Sequence, residues 1–319
     1  MPGKIHKVSI IVPVYEEEEN LHDLFEKLDS VIADSSYRWE VILINDGSKD
    51  RSGAIIAEKS EQNSNYVAVQ FRRNFGQTAA MQAGFDHASG DVMVPLDADL
   101  QNDPSDIPML LDKLSEGFDV VSGWRKNRKD KKVKRVLLSR IANALISKIS
   151  GVKLHDYGCS LKAYRKSVME EVRLYGEMHR FIPIYAAWQG GKITEMPVKH
   201  YPRTKGESKY GMERIFKVIL DLIVVKFLHG YSQKPMYVFG GFGMFFMSLS
   251  LIFGGWAIAL KVAGIENFSR TPLPLACMFF GLVGFFSILL GLLAEIIMRT
   301  YYESQNKKTY RVVRNSEVG

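Results

Sequence analysis

Two long apolar runs near the end of the chain constrain it more than any other feature. Tyr237 to about Leu260 and Leu273 to about Met298 each exceed the roughly 20 residues that a helix needs to cross a bilayer, and Glu295 is the one charge within them. A chain of 319 residues with such runs must satisfy two solvents. Its overall balance of 46% hydrophobic and 24% charged residues therefore hides a split. Residues 1 to about 232 mix charged and apolar types as a soluble α/β domain does. The short loop between the runs carries Lys261 and Arg270, whereas the outer flanks carry Lys217, Lys226, Lys234, Arg299, Lys307, Lys308, Arg311 and Arg314. Positive charge marks the cytosolic side, so the soluble domain and both termini are expected there, in a two-span protein of the cytoplasmic membrane. Val8 to Tyr15 is too short an apolar run for a signal peptide. Cys159 and Cys277 are the only cysteines, too few for a disulfide framework, and fit a reduced compartment.

The formal charge of +7 is compatible with nucleic acid, anionic lipid or phosphorylated substrates. Lys126, Arg128, Lys129, Lys131, Lys132, Lys134 and Arg135 cluster just before an apolar-rich stretch without interleaved aromatics. That favours membrane lipids over a strand of nucleic acid. Two stretches, Arg135 to Ile149 and Glu213 to Leu228, combine apolar spacing of three and four with Lys and Arg. The first reads equally as a core-packed or an interfacial helix, and the second as an interfacial helix leading into the membrane. The expected organisation is a cytosolic domain over residues 1–212 with a possible interfacial helix at 135–150, an amphipathic helix at 213–232, two spans within 233–300, and a basic tail at 301–319. Gly240, Gly241, Gly254, Gly255, Gly281 and Gly284 allow close helix contact, within one chain or between protomers of a homo-oligomer.

The soluble part alternates strand and helix signals. Val8 to Val14, Glu40 to Ile44, Val67 to Phe71 and Val92 to Leu96 read as buried strands, and Asn20 to Ala33, Arg51 to Ser60 and Thr78 to His87 as helices. This implies a parallel sheet covered on both faces, with its site beyond the carboxyl ends of the strands. Tyr15, Asn45 to Ser48, and Asp97 to Asp99 should then share one crevice.

Asp97, Asp99 and Gln101 offer hard oxygen ligands of the kind Mg²⁺ or Mn²⁺ takes together with substrate phosphates and water. Two acids spaced by one residue also occur in ordinary loops. Asn45-Asp46-Gly47-Ser48 is a turn by composition, yet places Asp46 where a carboxylate can accept a base N–H or bind a ribose. Pro13 to Glu17 is either a strand end with an acidic helix start or part of the same crevice.

The chain resembles the glycosyltransferase family 2 fold in Val8-Ser9-Ile10-Ile11-Val12-Pro13-Val14-Tyr15-Glu16-Glu17, Asn45-Asp46-Gly47-Ser48 and Asp97-Ala98-Asp99. It is similar, more closely, to the polyprenyl-phosphate glycosyltransferases, the group of dolichol-phosphate mannose synthase and the two-span bactoprenol glucosyltransferases. The added matches are Arg72-Arg73-Asn74-Phe75-Gly76-Gln77, Leu100-Gln101, Asp156-Tyr157-Gly158-Cys159-Ser160-Leu161-Lys162, and Arg203-Thr204-Lys205-Gly206-Glu207-Ser208-Lys209-Tyr210. The resemblance spans residues 8 to 298 and implies a GT-A type nucleotide-sugar domain with a mostly parallel sheet, followed by interfacial helices and two transmembrane helices. It assigns Pro13, Tyr15, Glu17, Asp46, Gly76, Asp97 and Arg203 to the nucleotide sugar, and Asp97, Asp99 and Gln101 to Mg²⁺ or Mn²⁺. Arg125, Ser208 and Lys209 fall to the lipid phosphate, and Asp156, Asp99 and Arg203 to the reacting centre. Asp156 acts there as a base or merely orients a cation. The implied reaction moves glucose from UDP-glucose to undecaprenyl phosphate in one inverting displacement, with GDP-mannose or another UDP-sugar as the alternative donor. A processive polysaccharide synthase would carry Gln-x-x-Arg-Trp after Asp99, and the sequence has none. A non-catalytic nucleotide-binding membrane protein has Glu295 as its best sign, which a pair with Arg299 one turn on explains as well.

Overall fold

The computed structural model describes residues 4–126, 143–144, 146–169, 172, 174, 176, 178–188, 190–202, 220, 224, 227 and 234–304. The chain forms two compact units, one within residues 1–222 and one within 223–312.

The first unit is built on strands β1 (Lys7–Val14), β2 (Arg38–Asn45), β3 (Tyr66–Gln70), β4 (Val92–Pro95), β5 (Val120–Trp124), β6 (Lys162–Arg165) and β7 (Ile193–Pro197). They lie in one sheet in the order β3-β2-β1-β4-β6-β5-β7. Val8, Ile10, Ile11, Val12 and Val14 are all inaccessible to solvent, because a central parallel strand is covered on both faces. Strand alternation divides them: Val8, Ile10, Val12 and Val14 share a cluster with Leu21, Leu24, Phe25 and Leu28 of α1 (Glu18–Ala33) and with Leu110, Leu111 and Leu114, while Ile11 points to the other face. There α3 (Gln77–His87) presses Gly84 onto Ile11 and Ile44, so closely that a Cβ at Gly84 would stand 2.2 Å from Ile11 Cγ2. Helix α2 (Ser52–Gln62) covers β2 and β3, and α4 (Ile107–Ser115) covers β5 and β6.

β1 pairs in parallel with β2 and β4, and β2 with β3. β6 runs antiparallel to both β4 and β5, with Lys162 opposite Ser122 and Arg165 opposite Val92. The reversal brings the amino end of β6 to the edge where its neighbours have their carboxyl ends. Short helices α5 (Lys166–Met169) and α6 (Ile182–Trp188) follow.

The second unit contains α7 (Pro235–Val262) and α8 (Leu273–Ser304), both long and apolar enough to cross a membrane. Leu251, Leu275 and Val262 are each at least 70% exposed, an apolar exterior suited to lipid. Small residues set the helix contact. A Cβ at Gly243 would lie 2.5 Å from Ile288 Cγ1 and 2.9 Å from the Gly284 carbonyl oxygen, and one at Gly284 would lie 2.7 Å from Met247 Cγ. Ser250 Oγ donates to the Cys277 carbonyl at 2.7 Å, and Glu295 accepts from Arg299 at 3.2 Å within α8.

Candidate active site

The carboxyl ends of β2, β1 and β4 are adjacent, and their loops are stitched together. Ser48 Oγ accepts from the Glu16 amide at 3.0 Å, Ser52 Oγ from the Glu17 amide at 3.0 Å, and Asp50 from the Glu18 amide at 3.2 Å. These bonds satisfy amides at the start of α1, whose N-terminus has no side-chain cap of its own. Asn45 closes its own turn by accepting from the Ser48 amide at 3.0 Å. Pro13 pairs opposite Ile44 one residue before β1 ends at Val14, Tyr15 follows half-buried, and Glu17 holds Asn20 Nδ2 at 2.5 Å.

Asp46, 3% exposed, faces the loop that starts α3. Its carboxylate accepts from the Phe75 amide at 2.7 Å, the Gly76 amide at 2.9 Å and Asn74 Nδ2 at 3.1 Å. Burial pushes its pKa up and the two amides oppose that rise. Gly47 has φ +68°, and a Cβ on it would sit 2.3 Å from the Arg73 carbonyl carbon, so the two loops touch main chain to main chain. Gly76, at φ +95°, turns the chain into α3. The next residue, Gln77, donates from Nε2 to Asp97 Oδ1 at 2.8 Å and ties α3 to the end of β4.

At that end Asp97 and Asp99 are half-buried, and the Gln101 amide donates to Asp99 Oδ1 at 3.2 Å across Leu100, whose φ is +58°. Glu16 and Leu100 are the two non-glycine residues of positive φ among the described residues, and both lie at this edge, where strained backbone often marks function. No group of three or more His, Cys, Asp or Glu converges on a metal position among the described residues. A pair of carboxylates with a nearby amide fits Mg²⁺ or Mn²⁺, which fill their shells with phosphate and water rather than with a protein cage.

The reversed β6 brings a second cluster to the same edge. Asp156, 6% exposed, grips Arg125 through both oxygens, at 2.6 Å to Nε and 2.9 Å to Nη2. A bidentate fork of this kind fixes the guanidinium plane. The Gly158 amide adds a bond to Asp156 at 3.0 Å, and a Cβ on Gly158 would lie 3.1 Å from Arg125 Nη2 and 3.7 Å from Arg180 Nη1. Asn102, which follows Gln101, donates to Ser160 Oγ at 2.9 Å, and the Tyr201 amide donates to the Gln101 carbonyl at 2.9 Å. Thr78 of α3 bonds His179 Nδ1 at 2.7 Å.

Of the residues singled out from sequence, Pro13, Tyr15, Glu17, Asp46, Gly76, Asp97, Asp99, Gln101, Arg125 and Asp156 lie along this edge. Arg203, Ser208 and Lys209 lie outside the described residues, as do most of the basic cluster after Lys126, most of the 135–150 and 213–232 segments, and the tail beyond Ser304. Sequence reasoning left Gln77, Asn74 and Lys162 without roles, although all three stand inside quoted motifs. Gln77 carried a signal in standing next to Gly76, whereas Asn74 and Lys162 carried none beyond their place in those motifs.

Comparison with known proteins gives this edge a context. The profile of glycosyl transferase family 2 matches residues 9–173. A dodecaprenyl-phosphate galacturonate synthase of Rhizobium johnstonii is 41% identical over 98% of this chain and 93% of its own length. An undecaprenyl-phosphate 4-deoxy-4-formamido-L-arabinose transferase of Klebsiella pneumoniae is 36% identical over 98% of this chain and 95% of its own. Among solved structures, glucosyl-3-phosphoglycerate synthase from Mycobacterium tuberculosis, in complex with Mn²⁺, UDP and glucosyl-3-phosphoglycerate, superposes with a TM-score of 0.53 at 16% identity, over 70% of this chain and 80% of that one. That likeness establishes the GT-A fold, and the whole-length matches establish the group: the chain is a glycosyltransferase that belongs to glycosyl transferase family 2 and, within it, to the polyprenyl-phosphate sugar transferases.

Proposed function

We propose that this enzyme transfers a sugar from a nucleotide donor to a polyprenyl phosphate at the cytosolic face of the membrane, with inversion at the anomeric carbon. The observation that carries the reading is the meeting of three strand ends, Tyr15 to Glu17, Asn45 to Ser48 and Asp97 to Gln101, at one edge of the sheet. Pro13, Tyr15, Glu17, Asp46 and Gly76 form the nucleoside platform. Asp46 acts largely by holding the Asn74–Gly76 loop in place, since three N–H groups already occupy its oxygens. Asp97, Asp99 and Gln101 hold Mg²⁺ or Mn²⁺, which when bound stabilises charge on the departing nucleoside diphosphate. Arg203 faces phosphates, and Arg125, Ser208 and Lys209 receive the lipid phosphate.

Asp156 orients Arg125 rather than serving as a base. Its two oxygens are committed to the guanidinium. The acceptor needs no base either, because the second ionisation of a phosphate monoester lies near pH ~6 and leaves nucleophilic oxygens at neutral pH. The catalytic domain occupies residues 1–212, the interfacial helix 213–232, the spans 233–300 and the cytosolic tail 301–319. Both termini lie inside.

For the sugar, sequence reasoning expects glucose from UDP-glucose. The galacturonate and formamido-arabinose enzymes among the relatives favour instead a sugar with a carboxylate or amide substituent. Incubation of the purified protein with labelled donors of all three kinds, GDP-mannose, undecaprenyl phosphate and Mg²⁺ or Mn²⁺, followed by organic extraction, decides both acceptor and sugar. Label in the lipid phase with one donor is expected. Label in a growing polymer, or no transfer from any donor, rejects the reading. Asp99→Asn is expected to lower transfer by about 100-fold or more while leaving thermal unfolding unchanged. A fully active variant would remove the metal assignment.

A further inference from the structure

Lys162 opens β6 and is 3% exposed, yet no carboxylate is bonded to its ammonium among the described residues. Its Nζ donates to the Cys159 carbonyl at 2.5 Å and the Tyr157 carbonyl at 3.2 Å. Both carbonyls belong to the turn that follows Asp156. The charged groups around it are Asp156, Arg180 and Arg125, with the Cys159 thiol beside them. Burial pushes the thiol up to about 11, so it is neutral at physiological pH. Among the described residues, Lys162, Arg125 and Arg180 thus stand around the Asp156 carboxylate, itself forked onto Arg125, and a Cβ on Gly158 would lie 3.1 Å from Arg125 Nη2 and 3.7 Å from Arg180 Nη1. The same turn touches the donor half of the site, since Ser160 bonds Asn102 next to Gln101.

We infer that Lys162 is a positioning residue for the acceptor: it holds the Tyr157–Cys159 turn so that Asp156 presents Arg125 beside Arg180, and its charge helps this cluster receive the phosphate monoester of the lipid. The inference rests on the proposed acceptor and names residues that recognition of that acceptor depends on. A buried ammonium bonded only to carbonyls is expensive unless an anion offsets it. A dianionic phosphate is suited to that task.

A purely structural role and an electrostatic one part company at alkaline pH. Burial brings the Lys162 pKa down to about 8; Asp156 opposes the shift, and Arg180 and Arg125 add to it. Above that pH the neutral amine still has hydrogens for both carbonyls, so the turn remains tied. Only the charge is lost.

The test is calorimetric binding of farnesyl phosphate to the full-length protein in detergent, without donor, between pH 7 and 9.5, beside binding of UDP with Mg²⁺. Wild type is expected to lose affinity for farnesyl phosphate above pH about 8. Lys162→Arg should bind as tightly at neutral pH and show no such loss. Lys162→Gln should bind about tenfold more weakly, with no alkaline loss and with UDP affinity unchanged. Wild-type affinity in Lys162→Gln, or the same alkaline loss in Lys162→Arg, overturns the inference while leaving the acceptor reading intact. If wild type does not bind farnesyl phosphate at all, the acceptor reading falls as well. Should Lys162→Gln fail to fold, the Lys162→Arg pH profile decides alone.

Discussion

Gly47 and Glu40 show how single residues hold opposite edges of the sheet. At Gly47 a methyl group would need both a left-handed backbone and space already filled by the Arg73 carbonyl carbon. Gly47→Ala is therefore expected to cost about 1–3 kcal/mol and to weaken UDP binding, as thermal unfolding and calorimetry would register. At the amino edge, burial alone would raise the pKa of Glu40, but Lys7, Ser9 and Ser89 outweigh it and bring it down to about 2. Because the folded-state value is depressed, the stabilisation is present above the ordinary carboxylate pKa and is lost as pH falls toward 2. Glu40→Gln should cost about 1–3 kcal/mol at neutral pH and flatten the acid limb of a stability profile between pH 5 and 2. An unchanged acid limb would show that the charge on Glu40 contributes nothing. Asp46 illustrates a limit of sequence reading. Its position at a strand end was legible, whereas its partners, two amides and an amide side chain some 30 residues on, were fixed only by the docking of α3.

The elements were the most legible part of the chain. Expected strands and helices of the first half agree with the observed ones to within about two residues, because apolar periodicity and parallel burial reinforce each other there. The second cluster was harder to place. The rule that sites lie at carboxyl ends does not reach Asp156 to Lys162, which come to the edge only because β6 runs backwards between β4 and β5. Nothing in the four residues of β6 announces that direction. The helical pair α7 and α8 was clear in length, and its glycines were legible as contact formers, but not which of them meet. Gly284 meets Gly243, a glycine that the sequence reading did not single out, so Gly243→Val is expected to force the helices apart and lower the melting temperature in detergent. Gly255→Val, where nothing lies within 4 Å, should leave it unchanged. Equal effects of the two would place the contact elsewhere.

At the scale of the whole molecule, the proposed topology, which rests on the distribution of basic residues, has the α7–α8 loop on the side opposite the catalytic domain. Ser269→Cys, within that loop, should therefore react with a membrane-impermeant maleimide added to intact cells, whereas a cysteine placed in the 305–319 tail should react only after lysis. The native background is low, since Cys159 is buried and Cys277 lies within α8. Labelling of the tail from outside would invert the topology. The contact at Gly47 has a broader consequence. Where the loops after β2 and β3 meet main chain to main chain, and Asp46 is met by the Phe75 and Gly76 amides, much of the proposed nucleotide platform is written in backbone, which most substitutions do not edit. Selection can then change side chains around the sugar while the base of the pocket stays the same. That separation lets one scaffold diversify its sugar without relearning how to grip its carrier, and it accords with relatives of similar length bearing the names of different sugars.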